Sequence, residues 1–164
     1  MIIGHDSYKL DAAIDKELYK MSNIWRYSSR LIHKPENLAE HSFYVAVFVL
    51  KLREYYDFNL EVALKTALIH DIAEARISDI PHNIKIANPE VAAALEKAEE
   101  KVTVDMLSEE ANTLLKSFNH GDTVEGKICQ LADVLSVVLY ANDEIKCGNR
   151  IFNYIAIKAI ARCK

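Results

Sequence analysis

Glycine and proline are scarce in this sequence of 164 residues, which contains four glycines and three prolines. Because these two residues mark most tight turns, their scarcity predicts few turns and long helices. No segment shows the sustained alternation of apolar and polar residues that is typical of strands. The sequence therefore predicts an all-α fold, and its length predicts one domain over residues 1–164.

The sequence also lacks the basic excess of nucleic-acid-binding proteins, since its net charge is -4 at pH 7. Binding along a phosphate backbone requires a positive surface, so we expect no nucleic-acid partner. A small phosphate ligand is not excluded, because it needs only two or three local cations. The longest apolar run, residues 43–50, is too short to cross a bilayer, so we expect no membrane association.

Cysteine is rare as well, and the three residues Cys129, Cys147 and Cys163 have no metal-binding spacing. An odd number of cysteines without a disulfide framework is typical of reduced thiols, so we predict a cytoplasmic protein. Small buried hydrophobic side chains explain these cysteines more simply than a redox role does.

Apolar residues recur at helical spacing along most of the chain and predict six or seven helices. Asn37, followed by Glu40 three residues later, predicts the start of a helix with a capping box. Asn88 and Pro89 are a second start signal, with the asparagine as N-cap. The expected helices cover residues 7–23, 37–56, 60–76, 88–102, a short segment after 108, residues 124–145 and a segment from 150.

Three polar residues occupy positions where these helices should be apolar. His41 shares a face with Val45 and Val49, and Asp71 shares a face with Leu64. Asp133 is flanked by leucine, alanine and valine. A buried carboxylate without a partner costs several kcal/mol, and a divalent cation compensates for that cost.

Two imidazoles and two carboxylates, from His41, His70, Asp71 and Asp133, would form a mixed nitrogen and oxygen site. Such a site suits one divalent transition metal, namely Mn, Co, Fe, Ni or Zn. His70 and Asp71 point about 100° apart on a helix, so both reach one ion only in a cleft between helices. A hydrogen-bonded histidine in the core remains an alternative at this point, because it is the commoner use of a lone buried histidine.

Three segments in order resemble the motifs of the HD-domain phosphohydrolases, in particular the bacterial 5'-deoxynucleotidase family of the YfbR type. They are Glu-Asn-Leu-Ala-Glu-His-Ser at 36–42, His-Asp-Ile-Ala-Glu at 70–74 followed by Ser-Asp-Ile-Pro at 78–81, and Leu-Ala-Asp at 131–133. The resemblance extends over about residues 20–150 and implies a single helical bundle with a metal site in a central cleft. It also implies that His41, His70, Asp71 and Asp133 are the metal ligands.

The same resemblance implies roles for further residues. Glu74 and Asp79 match acidic residues that handle the attacking water and the proton of the leaving group. Arg26 matches an arginine that contacts the substrate phosphate, and Lys85 lies where the family often has a basic residue. The family is commonly dimeric, so we expect a homodimer with one metal per subunit.

The segment around Arg26 departs from the family pattern. The family arginine is typically followed by tryptophan, whereas here Trp25 precedes Arg26 and Tyr27 follows it. Either aromatic ring can stack on a base or a sugar, so Trp25 and Tyr27 are candidate substrate contacts. A place for Trp25 in the core is an equal alternative.

We therefore predict a metal-dependent phosphohydrolase that removes the 5'-phosphate from deoxynucleoside monophosphates. One alternative is an HD-type deoxynucleoside triphosphate hydrolase, in which Arg30, Lys34 and Lys85 would contact the outer phosphates. A cyclic-nucleotide phosphodiesterase ranks lower, because no extra histidine pair for a second metal is evident. A non-catalytic domain that binds metal or nucleotide is the alternative from another class.

Overall fold

The computed structural model of the chain describes residues 19–162, apart from the side chains of residues 82 and 83. Eight helices lie within these residues, and they contain no strand, only an isolated antiparallel bridge between Trp25 and Asn37. The helices are α1 (Leu38–Leu52), α2 (Leu60–Ile69), α3 (Glu74–Ile77), α4 (His82–Ala87), α5 (Pro89–Met106), α6 (Glu109–His120), α7 (Val124–Lys146) and α8 (Phe152–Ala161). The predicted all-helical fold is confirmed.

The predicted first helix is described only at its end, where residues 19–21 are helical. Its remainder and Cys163 lie outside the described residues. No helix of the described part is long and apolar enough to cross a membrane.

Helix α7 is the central element, because α1, α2, α6 and α8 all pack against it. The largest core cluster joins α1, α2 and α7 through small and branched side chains. Its buried members include Val45 and Val49 from α1, Ala63 and Ala67 from α2, and Cys129 from α7. Small residues on α2 let its backbone approach the other two helices closely, and Cys129 contributes its thiol to this core rather than to any redox pair.

The helix starts follow the local sequence signals closely. Asn37 accepts a hydrogen bond from the Glu40 amide, and the Glu40 carboxylate accepts one from the Asn37 amide, so the predicted capping box is present. Pro89 stands at the first position of α5 as expected, but the Asn88 side chain does not cap that helix. Its amide donates instead to the Ile84 carbonyl oxygen.

The observed helices differ from the prediction in several places. Helix α1 ends at Leu52, so Tyr56 is 51% exposed and Phe58 fills the core in its place. The helix expected over 60–76 is interrupted, and the additional helix α4 follows Pro81. Helix α6 extends through His120 into the expected loop and ends at Gly121, whose positive φ of 60° is favourable for glycine.

The segment between residues 27 and 36 is fixed to α7 by a buried carboxylate, that of Glu144. This carboxylate accepts hydrogen bonds from the backbone amides of His33 and Lys34 and from the side-chain amide of Asn149. The hydroxyl of Tyr140 donates to the Lys34 carbonyl oxygen at 2.7 Å. The segment has no regular secondary structure of its own, so these contacts determine its path.

Replacement of Glu144 by alanine should destabilise the fold, because two backbone amides lose their acceptor at a buried position. We expect a loss of about 3 kcal/mol in the free energy of unfolding, measured by urea denaturation. Asp143→Ala is the matched control, because the exposed Asp143 carboxylate forms a surface ion pair with Lys146. Equal stability of the two variants would contradict the role assigned to Glu144.

Candidate active site

The four predicted metal ligands meet where α1, α2 and α7 come together. His41 lies in the first turn of α1, His70 is the C-cap of α2, and Asp133 lies midway along α7. Asp71 follows His70 directly in the turn after α2. Three separate helices thus position one cluster, as expected from the positions of the motifs in the sequence.

The distances within the cluster are short. The Nε2 atom of His41 lies 3.2 Å from Oδ1 of Asp133 and 3.6 Å from Oδ2 of Asp71. The Nε2 atom of His70 lies 3.1 Å from Oδ2 of Asp71. Ligand atoms of His41, His70 and Asp133 all lie within 4.8 Å of one another and could hold a metal ion.

The Nε2 atoms of both histidines are buried and have no hydrogen-bond partner. Buried polar atoms normally have a partner, so two such nitrogens beside two carboxylates fit a cation between them. The ring of His70 is oriented for this role, because its Nδ1 lies 2.8 Å from the Ala67 carbonyl oxygen. A carbonyl oxygen only accepts, so Nδ1 carries a proton, and Nε2 is the nitrogen that can bind an ion once it has lost its own proton.

The electrostatics of the cluster reflect two carboxylates in a buried place. Burial would lower the pKa of His70, but the adjacent Asp71 carboxylate raises it to about 9. His41 has a pKa lowered to about 4 by burial and by the neighbouring Arg26 guanidinium. Burial would raise the pKa of Asp71, but His70, His41 and Arg26 lower it. Asp71 therefore remains ionised and available as a ligand.

The backbone after His70 determines where Glu74 lies relative to Asp71. The expected continuous helix is broken here: the amides of Ile72, Glu74 and Ala75 each bond to the carbonyl three residues earlier. This tighter winding has three residues per turn, so side chains three apart eclipse one another. Glu74 consequently lies on the same side of the chain as Asp71.

Glu74 and Asp79 lie beside the cluster and affect each other's ionisation. Burial, together with the charges of Asp71 and Asp79, raises the pKa of Glu74 to about 10. Burial also raises the pKa of Asp79, although the Arg26 guanidinium and a hydrogen bond from the Tyr27 amide oppose this. Both carboxyl groups thus bind protons more strongly than free carboxyl groups.

Arg26 contacts the cluster through His41. Its Nη1 atom lies 2.9 Å from Oε2 of Glu36 and 2.6 Å from Nδ1 of His41, and its side chain is 13% exposed. Burial would lower the pKa of Arg26, but the charges of Glu36, Asp71 and Asp133 are among those that raise it. The guanidinium is therefore a permanent positive charge at the site.

The other three predicted substrate contacts have different surroundings. Lys85 pairs with Glu99 at 3.0 Å, and the charges of Glu74 and Asp71 contribute to its raised pKa. Trp25 is 47% exposed. Tyr27 stacks on the ring of Tyr140 at 5.2 Å and packs edge-on against Phe152, so its ring belongs to an aromatic cluster of the fold.

Sequence reasoning missed three residues that contact the site. Glu36 pairs with Arg26, the Ser136 hydroxyl lies 3.1 Å from Nδ1 of His41, and Arg162 lies 3.6 Å from Oδ2 of Asp133. Ser136 carried one usable signal, since it follows Asp133 by one helical turn and so shares its face. Arg162 had no such signal, because only the packing of α8 on α7 brings it near Asp133.

Comparison with solved structures defines the class of this fold and site. An HD-domain phosphohydrolase from Listeria innocua superposes with a TM-score of 0.75 and 25% identity, over 92% of this chain and 78% of that chain. The helical fold with its His/Asp cluster is that of an HD-domain phosphohydrolase.

The family within that class follows from the sequence comparisons. A 5'-deoxynucleotidase from Vibrio cholerae is 32% identical over 144 residues, which span 80% of this chain and 74% of that protein. A 5'-deoxynucleotidase from Photorhabdus laumondii is 31% identical over 156 residues, which span 87% and 76%. The model of the YfbR-like 5'-deoxynucleotidase family matches residues 16–164, and the chain belongs to this family.

Metal binding should stabilise the folded chain, because an ion offsets the repulsion between Asp71 and Asp133. After chelation, addition of Mn²⁺ or Co²⁺ at about 100 times its dissociation constant should add about 2.7 kcal/mol. For a domain of this size that gain corresponds to a rise of roughly 5–10 °C in melting temperature.

His70→Ala should abolish this rise, whereas His120→Ala should retain it. His120 is an exposed residue at the end of α6 and serves as the control. A similar rise in the His70 variant and the wild-type protein would show that the ion binds elsewhere.

Proposed function

We propose that this chain is a metal-dependent phosphomonoesterase that removes the 5'-phosphate from deoxynucleoside monophosphates. The observation that carries the proposal is the meeting of two unpartnered Nε2 atoms, from His41 and His70, with the carboxylates of Asp71 and Asp133. The names of the relatives, which are 5'-deoxynucleotidases, support the choice of substrate.

His41, His70, Asp71 and Asp133 would hold one divalent ion, and their mixed nitrogen and oxygen donors suit Mn, Co, Fe, Ni or Zn. Such an ion, when bound, makes water more acidic and withdraws charge from a phosphoryl oxygen. The reaction consumes one water: its oxygen bonds to phosphorus, the bond from phosphorus to the 5'-oxygen breaks, and the 5'-oxygen gains a proton.

Glu74 is the group that would take the proton from the attacking water. It lies over Asp71 in the tightly wound turn, so its carboxylate faces the same cluster. Its raised pKa makes the carboxylate a strong base once ionised. Neutralisation of Asp71 by a cation would remove one of the charges that keep Glu74 protonated.

Asp79 is the group that would supply a proton to the leaving 5'-oxygen. Burial favours its protonated form, as a general acid requires. The positive charge of Arg26 acts in the opposite direction and lowers the pKa of Asp79. The two acidic residues would thus divide the proton transfers, Glu74 at the attacking water and Asp79 at the leaving oxygen.

Arg26 and Lys85 would neutralise the phosphate of the substrate. The planar guanidinium of Arg26 suits two phosphate oxygens, and its charge stabilises negative charge that develops as the bond breaks. Lys85 offers a second charge from α4, although Glu99 shares its ammonium group. Of the two aromatic candidates, Trp25 is the better base contact, because its ring is half-exposed whereas the Tyr27 ring packs on Tyr140.

The remaining expectations belong to the same proposal. We place one ion in each subunit of a cytoplasmic homodimer, in which residues 1–164 form one domain of the HD type. The triphosphate hydrolase and the non-catalytic binding domain are the alternatives that the following experiments separate.

The substrate assignment is tested by product analysis on protein that has been stripped of metal and reloaded with Mn²⁺ or Co²⁺. Deoxynucleoside and ribonucleoside mono- and triphosphates are supplied, and His70→Ala is the control. We expect release of inorganic phosphate from the deoxynucleoside monophosphates. Release of triphosphate would move the assignment to a triphosphate hydrolase, and no turnover in the metal-loaded protein would favour a binding domain.

Glu74→Ala should lower kcat by at least about 100-fold, because the attacking water loses its proton acceptor. Metal content, measured after dialysis, should stay at the wild-type level. Glu110→Ala, at an exposed position on α6, is the control for removal of a carboxylate. A Glu74 variant with wild-type turnover would exclude this residue as the base.

Asp79→Asn should slow the reaction in a way that depends on the leaving group. We expect a loss of about 100-fold with a deoxynucleoside monophosphate, whose 5'-oxygen needs a proton to depart. The loss with p-nitrophenyl phosphate should be much smaller, because nitrophenolate leaves without protonation. Equal losses with both substrates would assign Asp79 to another step.

A further inference from the structure

A serine that no sequence motif singled out lies directly behind one of the metal ligands. Ser136 is 2% exposed, and its Oγ atom lies 3.1 Å from Nδ1 of His41. It follows Asp133 by one turn of α7, so a single helix presents the Asp133 carboxylate to Nε2 and the Ser136 hydroxyl to Nδ1 of the same imidazole. The ring of His41 is thus contacted at both nitrogens by one rigid element.

The proton on this ring decides whether it can bind a metal. A histidine that offers the lone pair of Nε2 to an ion carries its proton on Nδ1, and that proton needs an acceptor. Two groups lie within hydrogen-bond distance of Nδ1, namely the Ser136 hydroxyl and Nη1 of Arg26 at 2.6 Å. A guanidinium has donors only, so in this structure Arg26 donates to Nδ1, and Ser136 is the one of the two that can accept once Nδ1 carries the proton.

We infer that Ser136 is a positioning residue that holds His41 in the form able to bind metal, by accepting a hydrogen bond from its Nδ1. This inference rests on the metal centre of the proposed function. It has a consequence for Arg26: once Nδ1 carries a proton, Arg26 cannot donate to it and must leave its 2.6 Å contact with this atom. The guanidinium then keeps Glu36 as its partner and has donors free for the phosphate.

The neighbour of His41 provides a matched control. Ser42 is also a buried serine beside the cluster, but its hydroxyl has no hydrogen-bond partner. Ser136→Ala and Ser42→Ala therefore remove the same atom from similar surroundings, and only the first removes a hydrogen bond to His41. Ser136→Thr keeps the hydroxyl and tests for rescue.

The measurement is the dissociation constant of Co²⁺, followed by the visible absorption of the ion during titration of chelator-treated protein. We expect Ser136→Ala to bind Co²⁺ about 10- to 100-fold more weakly than the wild-type protein. Ser42→Ala should bind like the wild-type protein, and Ser136→Thr should recover most of the affinity. Thermal melting of the metal-free variants checks that each is folded.

A second readout reports the proton itself. In the Zn²⁺-loaded protein, the ring nitrogen shifts of His41 should identify Nδ1 as protonated, and its proton should exchange faster with water in Ser136→Ala. Folded Ser136→Ala with the Co²⁺ affinity of Ser42→Ala would overturn the inference. If the variants fail to fold, an unprotonated Nδ1 in the Zn²⁺-loaded wild-type protein would overturn it instead.

The outcomes separate this inference from the proposed function. No step uses a nucleotide, so a wild-type protein that binds Co²⁺ but releases no phosphate would contradict the proposed function and leave Ser136 in its role. An active enzyme whose Co²⁺ affinity does not depend on Ser136 would contradict the inference alone. A wild-type protein that binds no Co²⁺ would contradict both.

Discussion

The burial of two carboxylates and two imidazoles at one junction of helices is the constraint on which the rest of the structure depends. Charged groups removed from water require compensation, or they are neutralised by a change of ionisation. Within the described residues the compensation comes from a protonated His70, from Arg26 and from Arg162 at the rim. The unpartnered Nε2 atoms show where a cation would complete it.

Helix α7 connects this constraint to the stability of the fold. One of its stripes carries a predicted metal ligand, a contact to His41, a core tyrosine and a buried glutamate, at steps of three or four residues: Asp133, Ser136, Tyr140 and Glu144. The first two contact His41, and the last two hold the segment that follows Arg26. The position of Arg26 at the site therefore depends on contacts that lie three helical turns away along α7.

The break in the helix after α2 determines the position of Glu74 beside the cluster. Adjacent side chains such as His70 and Asp71 diverge by about 100° or more on a helical turn, so both reach the cluster only because it lies in a cleft between helices. The tighter turn after α2 places Glu74 on the same side of the chain as Asp71, so the proposed base lies beside this predicted ligand. Such local departures from ideal helix geometry are common where side chains must converge.

Local signals in the sequence determined much of this protein. Scarce glycine and proline, helical periodicity and the Asn37 capping box predicted the helical fold, and the order of the motifs predicted His41, His70, Asp71 and Asp133 as one cluster. The helices and the cap could be predicted because they depend on residues within a few positions of one another.

Only the tertiary structure decided the break at His70, the additional helix α4 and the partners of the site residues. Ser136 and His41 are 95 residues apart in the sequence, and Glu144 and His33 are 111 residues apart. No local sequence pattern predicts contacts over such separations. Arg26 contacts Glu36 and His41 across 10 and 15 residues of largely irregular chain, which no helical periodicity relates. The sequence identified the chemical groups of the site, and the packing of the helices determined which of these groups are in contact.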